Sequence, residues 1–206
     1  MSIQELIKKR ARVSEQEAQM LTIYLEELWK WNQKINLVGV SSIKRVIDEL
    51  LMDSLMAKEF LPEKGRLLDI GSGAGFPAIP LKVVKQEIIF HLVEAKAKKA
   101  AFLRHIIKKM GIKDIRVIEG RMESIGDELS PAYDVITFRG IRLISGLTLA
   151  CPYLQDGTII SFQGANFKAV LNEARSFMKK NRIRTNKIKE YSISRGKRAL
   201  ILFKRY

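Results

Sequence analysis

The chain has 206 residues, enough for one sizeable core, and its 47% hydrophobic and 29% charged residues exclude a disordered or membrane-embedded class. A single cysteine, Cys151, excludes an intramolecular disulfide, and with only His91 and His105 beside it no Cys/His zinc cluster can be assembled, so no metal is expected. Basic side chains outnumber acidic ones 37 to 22; thirteen of them, against only Glu173 and Glu190, fall in residues 168–206, a segment that alone carries +11 of the net +15. Such a concentration favours a polyanionic partner, because neutralising phosphates releases counterions.

Taken in chain order, residues 1–13 carry Lys8, Lys9, Arg10 and Arg12, but no apolar run of signal-sequence length follows. Ser14 and Glu17 have capping-box spacing, and Leu21, Tyr24, Leu25, Leu28 and Trp31 recur at helical intervals, predicting an amphipathic helix over 15–33. Trp31 is assigned to packing rather than to base stacking. A second helix is expected over 43–60, ending before Pro62, so that 1–62 forms a helical cap. From Arg66 the pattern changes to short apolar runs alternating with helices. Strands are expected at 66–70, 88–93, 115–118, 133–138 and 158–162, and helices at 79–84, 98–110, 143–154 and 166–178. Nearly continuous apolar strands alternating with helices imply a parallel sheet covered on both faces. The runs 183–193 and 199–203, joined by a turn at Ser194–Lys197, predict an antiparallel hairpin that completes a seven-stranded, mostly parallel sheet over 63–206. Cys151, between Ala150 and Pro152, reads as a buried, inert thiol. The longest uncharged stretch, 143–155, is too short to span a bilayer; no membrane association is expected, and a cytoplasmic protein is.

The sharpest local signal is Asp69-Ile70-Gly71-Ser72-Gly73-Ala74-Gly75-Phe76-Pro77. A strand that runs into three alternating glycines needs them for a tight turn and for close approach of a ligand to the backbone. A dinucleotide fingerprint would place a third glycine where Phe76 stands, and Asp69 beside a pyrophosphate would be repulsive. Beside the ammonium and sulfonium of S-adenosyl-L-methionine the same carboxylate is favourable. Glu94, nineteen residues beyond Gly75 at the end of the second strand, is placed to accept from both hydroxyls of a ribose. Together these features point to a Rossmann-like class I methyltransferase, in which Met122 packs on the adenine and Glu123 either caps a helix or bonds the base. Arg139, at the end of the fourth strand, is the main candidate for contact with substrate or cofactor; the competing reading pairs it structurally with Asp134 or Glu94.

These residues resemble the small-subunit ribosomal RNA guanine nitrogen-7 methyltransferases, the family also called glucose-inhibited division protein B. The matching segments are Trp31-Asn32 with Asn36-Leu37, Asp53-Ser54, the Asp69–Leu81 stretch, Glu94 with Lys98 and Phe102-Leu103, Arg121-x-Glu123, and Tyr133-Asp134 leading to Arg139. The resemblance implies S-adenosyl-L-methionine as cofactor and a guanine of 16S ribosomal RNA, free or in the 30S subunit, as substrate; separately from it, a monomer is expected. Carried over by position, it puts Gly71, Gly73, Gly75 and Phe76 at the methionine end, Glu94 at the ribose, Met122 and Glu123 at the adenine, and Arg139 beside the transferred methyl. The chain departs from the family at Val38, at Glu49-Leu50 (an Arg-His pair in relatives), at Ala78 and at Gln163 (a lysine in relatives).

Guanine nitrogen-7 has a free lone pair at neutral pH, so transfer needs orientation rather than a general base. Neither an Asn/Asp-Pro-Pro-Tyr motif nor a Pro-Cys nucleophile is present. Arg139 is expected to hold the base, through the acceptor edge that guanine presents. The alternative is a cofactor-binding RNA-interaction or ribosome-assembly protein whose methylation activity has lapsed or altered, motivated by Leu50 and Gln163. Methylation of a protein or small molecule is a further rival, which the basic C-terminal segment disfavours.

Overall fold

The computed structural model describes residues 2–129 and 132–206. Five parallel strands, β1 (Gly65–Ile70), β2 (Ile88–Glu94), β3 (Ile115–Glu119), β4 (Tyr133–Arg139) and β5 (Leu154–Gln163), are extended by the antiparallel hairpin of β6 (Ile183–Ile193) and β7 (Gly196–Arg205). The spatial order is β3-β2-β1-β4-β5-β7-β6, so the chain reverses direction across the sheet between β1 and β4. That switch point brings the ends of β1, β2 and β4 together, where open α/β sheets bind their ligands.

Successive strand residues face opposite sides, and each side is closed by its own apolar layer. On one, Leu67, Phe90 and Leu92 pack with α5 (Ala78–Val84), α6 (Ala97–Met110) and the buried row Leu21, Leu25 and Leu28 of α2 (Glu15–Asn32). On the other, Leu68, Ile70, Ile136 and Phe138 pack with α7 (Leu143–Ala150) and α8 (Phe167–Lys180). Cys151 is buried in this second layer, and burial raises its thiol pKa, as befits an inert residue. Helix α6 ends on Gly111 in the left-handed region (φ 64°), a conformation glycine adopts without a Cβ penalty. Helix α5 has no such cap. Instead Lys82, itself buried, donates to the carbonyls of Gln86 and Ile88 at 2.7 Å each and satisfies the turn into β2.

The N-terminal region departs from the sequence reading in two places. Residues 1–13 hold a helix, α1 (Ile3–Arg10), opened by a capping box between Ser2 and Glu5. The helix expected over 43–60 is broken into α3 (Ile43–Val46), a π turn (Ile47–Leu51), α4 (Met52–Leu55) and a 3₁₀ turn (Lys58–Phe60). A π turn adds a residue to one helical turn and rotates the residues that follow, so the single continuous helical face expected over 43–60 is not formed. Further on, α7 stops at Ala150, Pro152 lies in a 3₁₀ turn, and β5 begins at Leu154 rather than 158. The early start is possible because Gly157 lies against the backbone of Tyr133 and Asp134, where a Cβ would come within 2.4 Å of the Tyr133 carbonyl oxygen. No helix among the described residues is long and apolar enough to cross a membrane.

Candidate active site

The loop after β1 is folded by its own amides. Gly71 and Ser72 donate to the Val93 carbonyl at 2.9 and 3.0 Å, and Gly75 donates to that of Ser72 at 2.8 Å. Gly71 and Gly73 have φ of +71° and +60°, which L side chains adopt only at a cost. Gly75, at φ +99°, is required for a second reason: a Cβ there would come within 2.6 Å of Ile79 and 3.2 Å of the Tyr24 hydroxyl. Gly73 has no such clash, its nearest atoms lying 3.8 Å or more from an added Cβ, at ordinary contact distance, and it lines the hollow described below.

Glu94 closes the loop from the end of β2. One carboxylate oxygen accepts from the Gly73 amide and the other from the Lys96 amide, both at 2.7 Å. Each oxygen keeps a second lone pair for a ligand donor. Asp69 lies beneath the loop, 1% exposed, and accepts from the Thr137 hydroxyl at 2.6 Å. Its other oxygen, Oδ2, is buried without a hydrogen-bond partner. Burial, offset in part by the Thr137 and Ser72 hydrogen bonds, pushes the carboxyl pKa from 3.8 up to about 6. Tyr24 of α2 braces the loop from outside, donating to the Ala74 carbonyl at 2.8 Å and packing on the Phe76 ring with centroids 5.3 Å apart. Asn32 likewise holds residues 37–40 over the site by accepting from the Leu37 and Val38 amides at 2.7 and 2.9 Å.

These elements surround a hollow of about 760 Å³ at the carboxyl ends of the strands. Gly71, Gly73, Phe76, Glu94 and Arg139 line it, joined by Leu50 and Gln163, two of the positions where the chain departs from its relatives. A larger hollow of about 890 Å³ lies at the opposite end, among Gly65, Arg66, Tyr133, Asp134 and Gly157, away from the glycine loop and from the strand ends that bind ligands in such sheets. Asp69 and Gly75 stand behind the lining of the smaller hollow. Met122 is buried beside Ile118 and Ile125, Glu123 is exposed, and neither lines it.

The partner of Arg139 is neither Asp134 nor Glu94. Asp134 stands at the opposite end of β4 and accepts from the Arg66 amide at 2.7 Å, while both oxygens of Glu94 serve backbone amides. Arg139 instead donates through Nε to Asp53 at 2.8 Å and through Nη2 to the Glu49 carbonyl at 3.4 Å. Asp53, fully buried, also accepts from Arg198 Nε and Nη2 (3.0 and 2.9 Å) and from the Tyr191 hydroxyl (2.6 Å). The sequence shows Asp53 only as part of a matched pair and shows no role for Tyr24, Tyr191 or Arg198, because the contacts that define those roles span 50 to 145 positions. Among the described residues, no three His, Cys, Asp or Glu side chains are grouped so as to hold a metal ion.

The donor set fits S-adenosyl-L-methionine: an orphaned buried carboxylate oxygen for a cation, a carboxylate with free lone pairs for ribose hydroxyls, and a side-chain-free backbone at Gly73. Sheet order, glycine loop and terminal hairpin define a class I methyltransferase. The fold is shared with the O-methyltransferase of Bacillus cereus in complex with S-adenosylhomocysteine (TM-score 0.67, 15% identity, 99% of this chain and 97% of that one) and with M. jannaschii TYW2 in complex with AdoMet (TM-score 0.58, 16% identity, 75% and 77%). The family described as rRNA small subunit methyltransferase G matches residues 17–201, and the chain belongs to it. Curated relatives named ribosomal RNA small subunit methyltransferase G include those of Chloroflexus aggregans, 39% identical over 70% of this chain and 63% of its own length, and Syntrophotalea carbinolica, 30% identical over 88% and 86%. The chain is thus an S-adenosyl-L-methionine-dependent methyltransferase of the small-subunit ribosomal RNA family.

Proposed function

We propose that this chain transfers a methyl group from S-adenosyl-L-methionine to nitrogen-7 of a guanine in 16S ribosomal RNA. The observation that carries the reading is the convergence, at one switch point, of the Gly71–Gly75 loop, the paired lone pairs of Glu94, the orphaned oxygen of Asp69 and the guanidinium of Arg139. When bound, the cofactor supplies an electrophilic methyl on a sulfonium. The Gly71 and Gly73 backbone would hold its methionine end, with Phe76 excluding water there, Glu94 would bind its ribose, and Asp69 would offer a negative field to its cationic end. Met122 and Glu123 stand back from the hollow, so the adenine role expected for them is not part of this reading.

The nitrogen-7 lone pair would meet that methyl directly, so the chain's own residues would need only to orient base and cofactor. No proton moves, so no general base is required. One refinement concerns Arg139. A guanidinium bonded to both acceptors of the guanine edge would occupy the nitrogen-7 lone pair that must attack. Its donors are therefore assigned to oxygen-6 or to the RNA backbone. The 168–206 segment supplies the basic surface on which a ribosomal RNA substrate would rest, and the protein works as a monomer in the cytoplasm.

Tritiated cofactor offered with 30S subunits, naked 16S RNA and protein extract tests the reading. Label in RNA is expected. Cofactor binding without label in any of the three would favour the lapsed-enzyme alternative, and label in protein alone would overturn the RNA assignment.

A further inference from the structure

Two arginines share one buried carboxylate at the edge of the hollow. Asp53 comes from α4, immediately after the π turn, Arg139 from the end of β4, and Arg198 with Tyr191 from the β6–β7 hairpin. The carboxylate is fully buried, whereas each guanidinium keeps 18% of its side-chain surface exposed. Arg139 Nε and both Nε and Nη2 of Arg198 are spent on Asp53, leaving Nη1 of each without a hydrogen-bond partner among the described residues; both arginines line the hollow. One anion holding two cations leaves the cluster at +1, with planar donors facing the cleft in fixed orientation.

We infer that Asp53 is a positioning residue for methyl transfer: it touches neither cofactor nor base, but sets Arg139 and Arg198 as a two-guanidinium clamp for the RNA. A lone salt bridge would orient one arginine; the shared carboxylate, with Tyr191 donating to its Oδ1, orients two from different strands. Asp53 stands just beyond the π turn, in the short α4 that packs across the strand ends. The inference rests on the methyltransferase reading above and adds to it a residue of the N-terminal helices.

The test is a double-mutant cycle read on RNA methylation, with S-adenosylhomocysteine affinity measured beside it. Asp53→Asn keeps the shape and removes the charge. It should lower kcat/KM for RNA by about 100-fold, the scale of a small misplacement of a catalytic contact, while cofactor affinity stays within about threefold of wild type. In an Arg139→Ala/Arg198→Ala background the same substitution should cost no more than about threefold, because the residues through which it acts are gone. Asp53→Glu, which retains the charge on a longer arm, should restore thermal stability without restoring turnover, and it decides the matter if the Asn variant does not fold. An additive cycle, a parallel loss of cofactor affinity, or full activity of Asp53→Glu would each overturn the positioning role. Failure of the wild type itself to methylate RNA would overturn the underlying reading, and this role with it.

Discussion

Asp69→Asn separates what the buried carboxylate costs the fold from what it supplies to the site. Asp69 is all but inaccessible, one of its oxygens has no partner, and its pKa stands at about 6 against 3.8 for an ordinary carboxyl. The native state therefore holds this proton to higher pH than the unfolded chain does. Below about pH 3.8 both states are protonated and there is no penalty. As pH rises through the interval, the unfolded chain loses its proton first and stability falls. Above about pH 6 the deficit is complete, and the gap amounts to about 3 kcal/mol. Asparagine keeps the Thr137 hydrogen bond and cannot ionise. Urea unfolding of the two proteins should therefore give curves that diverge by about 2 kcal/mol between about pH 4.5 and pH 7.5, with the variant the more stable at the upper end. The same variant should bind S-adenosyl-L-methionine about tenfold more weakly, because the negative field that Asp69 exerts from behind the lining is gone. Wild-type affinity should rise as pH rises through about 6, as the carboxylate forms, whereas that of the variant should stay flat. Parallel stability curves, or unchanged cofactor affinity in the variant, would refute this account of Asp69.

Two further substitutions divide the loop into parts that hold the fold and parts that face the ligand. Gly75→Ala places a Cβ within 2.6 Å of Ile79 at a positive φ, and should destabilise the protein by about 2 kcal/mol or more in thermal unfolding. Gly73→Ala meets no atom closer than 3.8 Å; it should cost about 1 kcal/mol of stability yet weaken cofactor binding more than that loss explains, as calorimetry would show. Tyr24→Phe leaves the Ala74 carbonyl without its partner and should cost about 1–3 kcal/mol in urea unfolding, with a smaller loss of cofactor affinity.

The β1–α5–β2 unit was legible in the sequence because its signals are local: an apolar run, alternating glycines and an acid at the next strand end. The terminal hairpin was legible for the same reason, through the turn between Ile193 and Gly196. Helix α1 does carry local signals, the Ser2–Glu5 capping box and Ile3, Leu6 and Ile7 at helical spacing, but it is only eight residues long and ends in a basic run that draws attention to charge instead. The π turn at Ile47–Leu51 is hidden for a different reason: no glycine or proline punctuates it, so nothing separates it from a continuous helix. The site shows the same division. Glu94, Gly71 and Gly73 lie where local pattern puts them, lining the hollow, while Gly75 stands behind it. Local pattern offers Arg139 a counter-ion on its own strand or at the neighbouring strand end, yet it comes from Asp53, 86 positions earlier. Only the packing of the N-terminal helices across the strand ends brings the two together.

The most direct test of the central claim is to locate the methyl group chemically. RNA from 30S subunits treated with the protein and S-adenosyl-L-methionine is reduced with borohydride and exposed to aniline, which breaks the chain at nitrogen-7-methylated guanines. Cleavage of 16S RNA at a single guanine, dependent on both enzyme and cofactor, is the predicted result. Methyl incorporation without such cleavage would place the methyl on another atom and contradict the account.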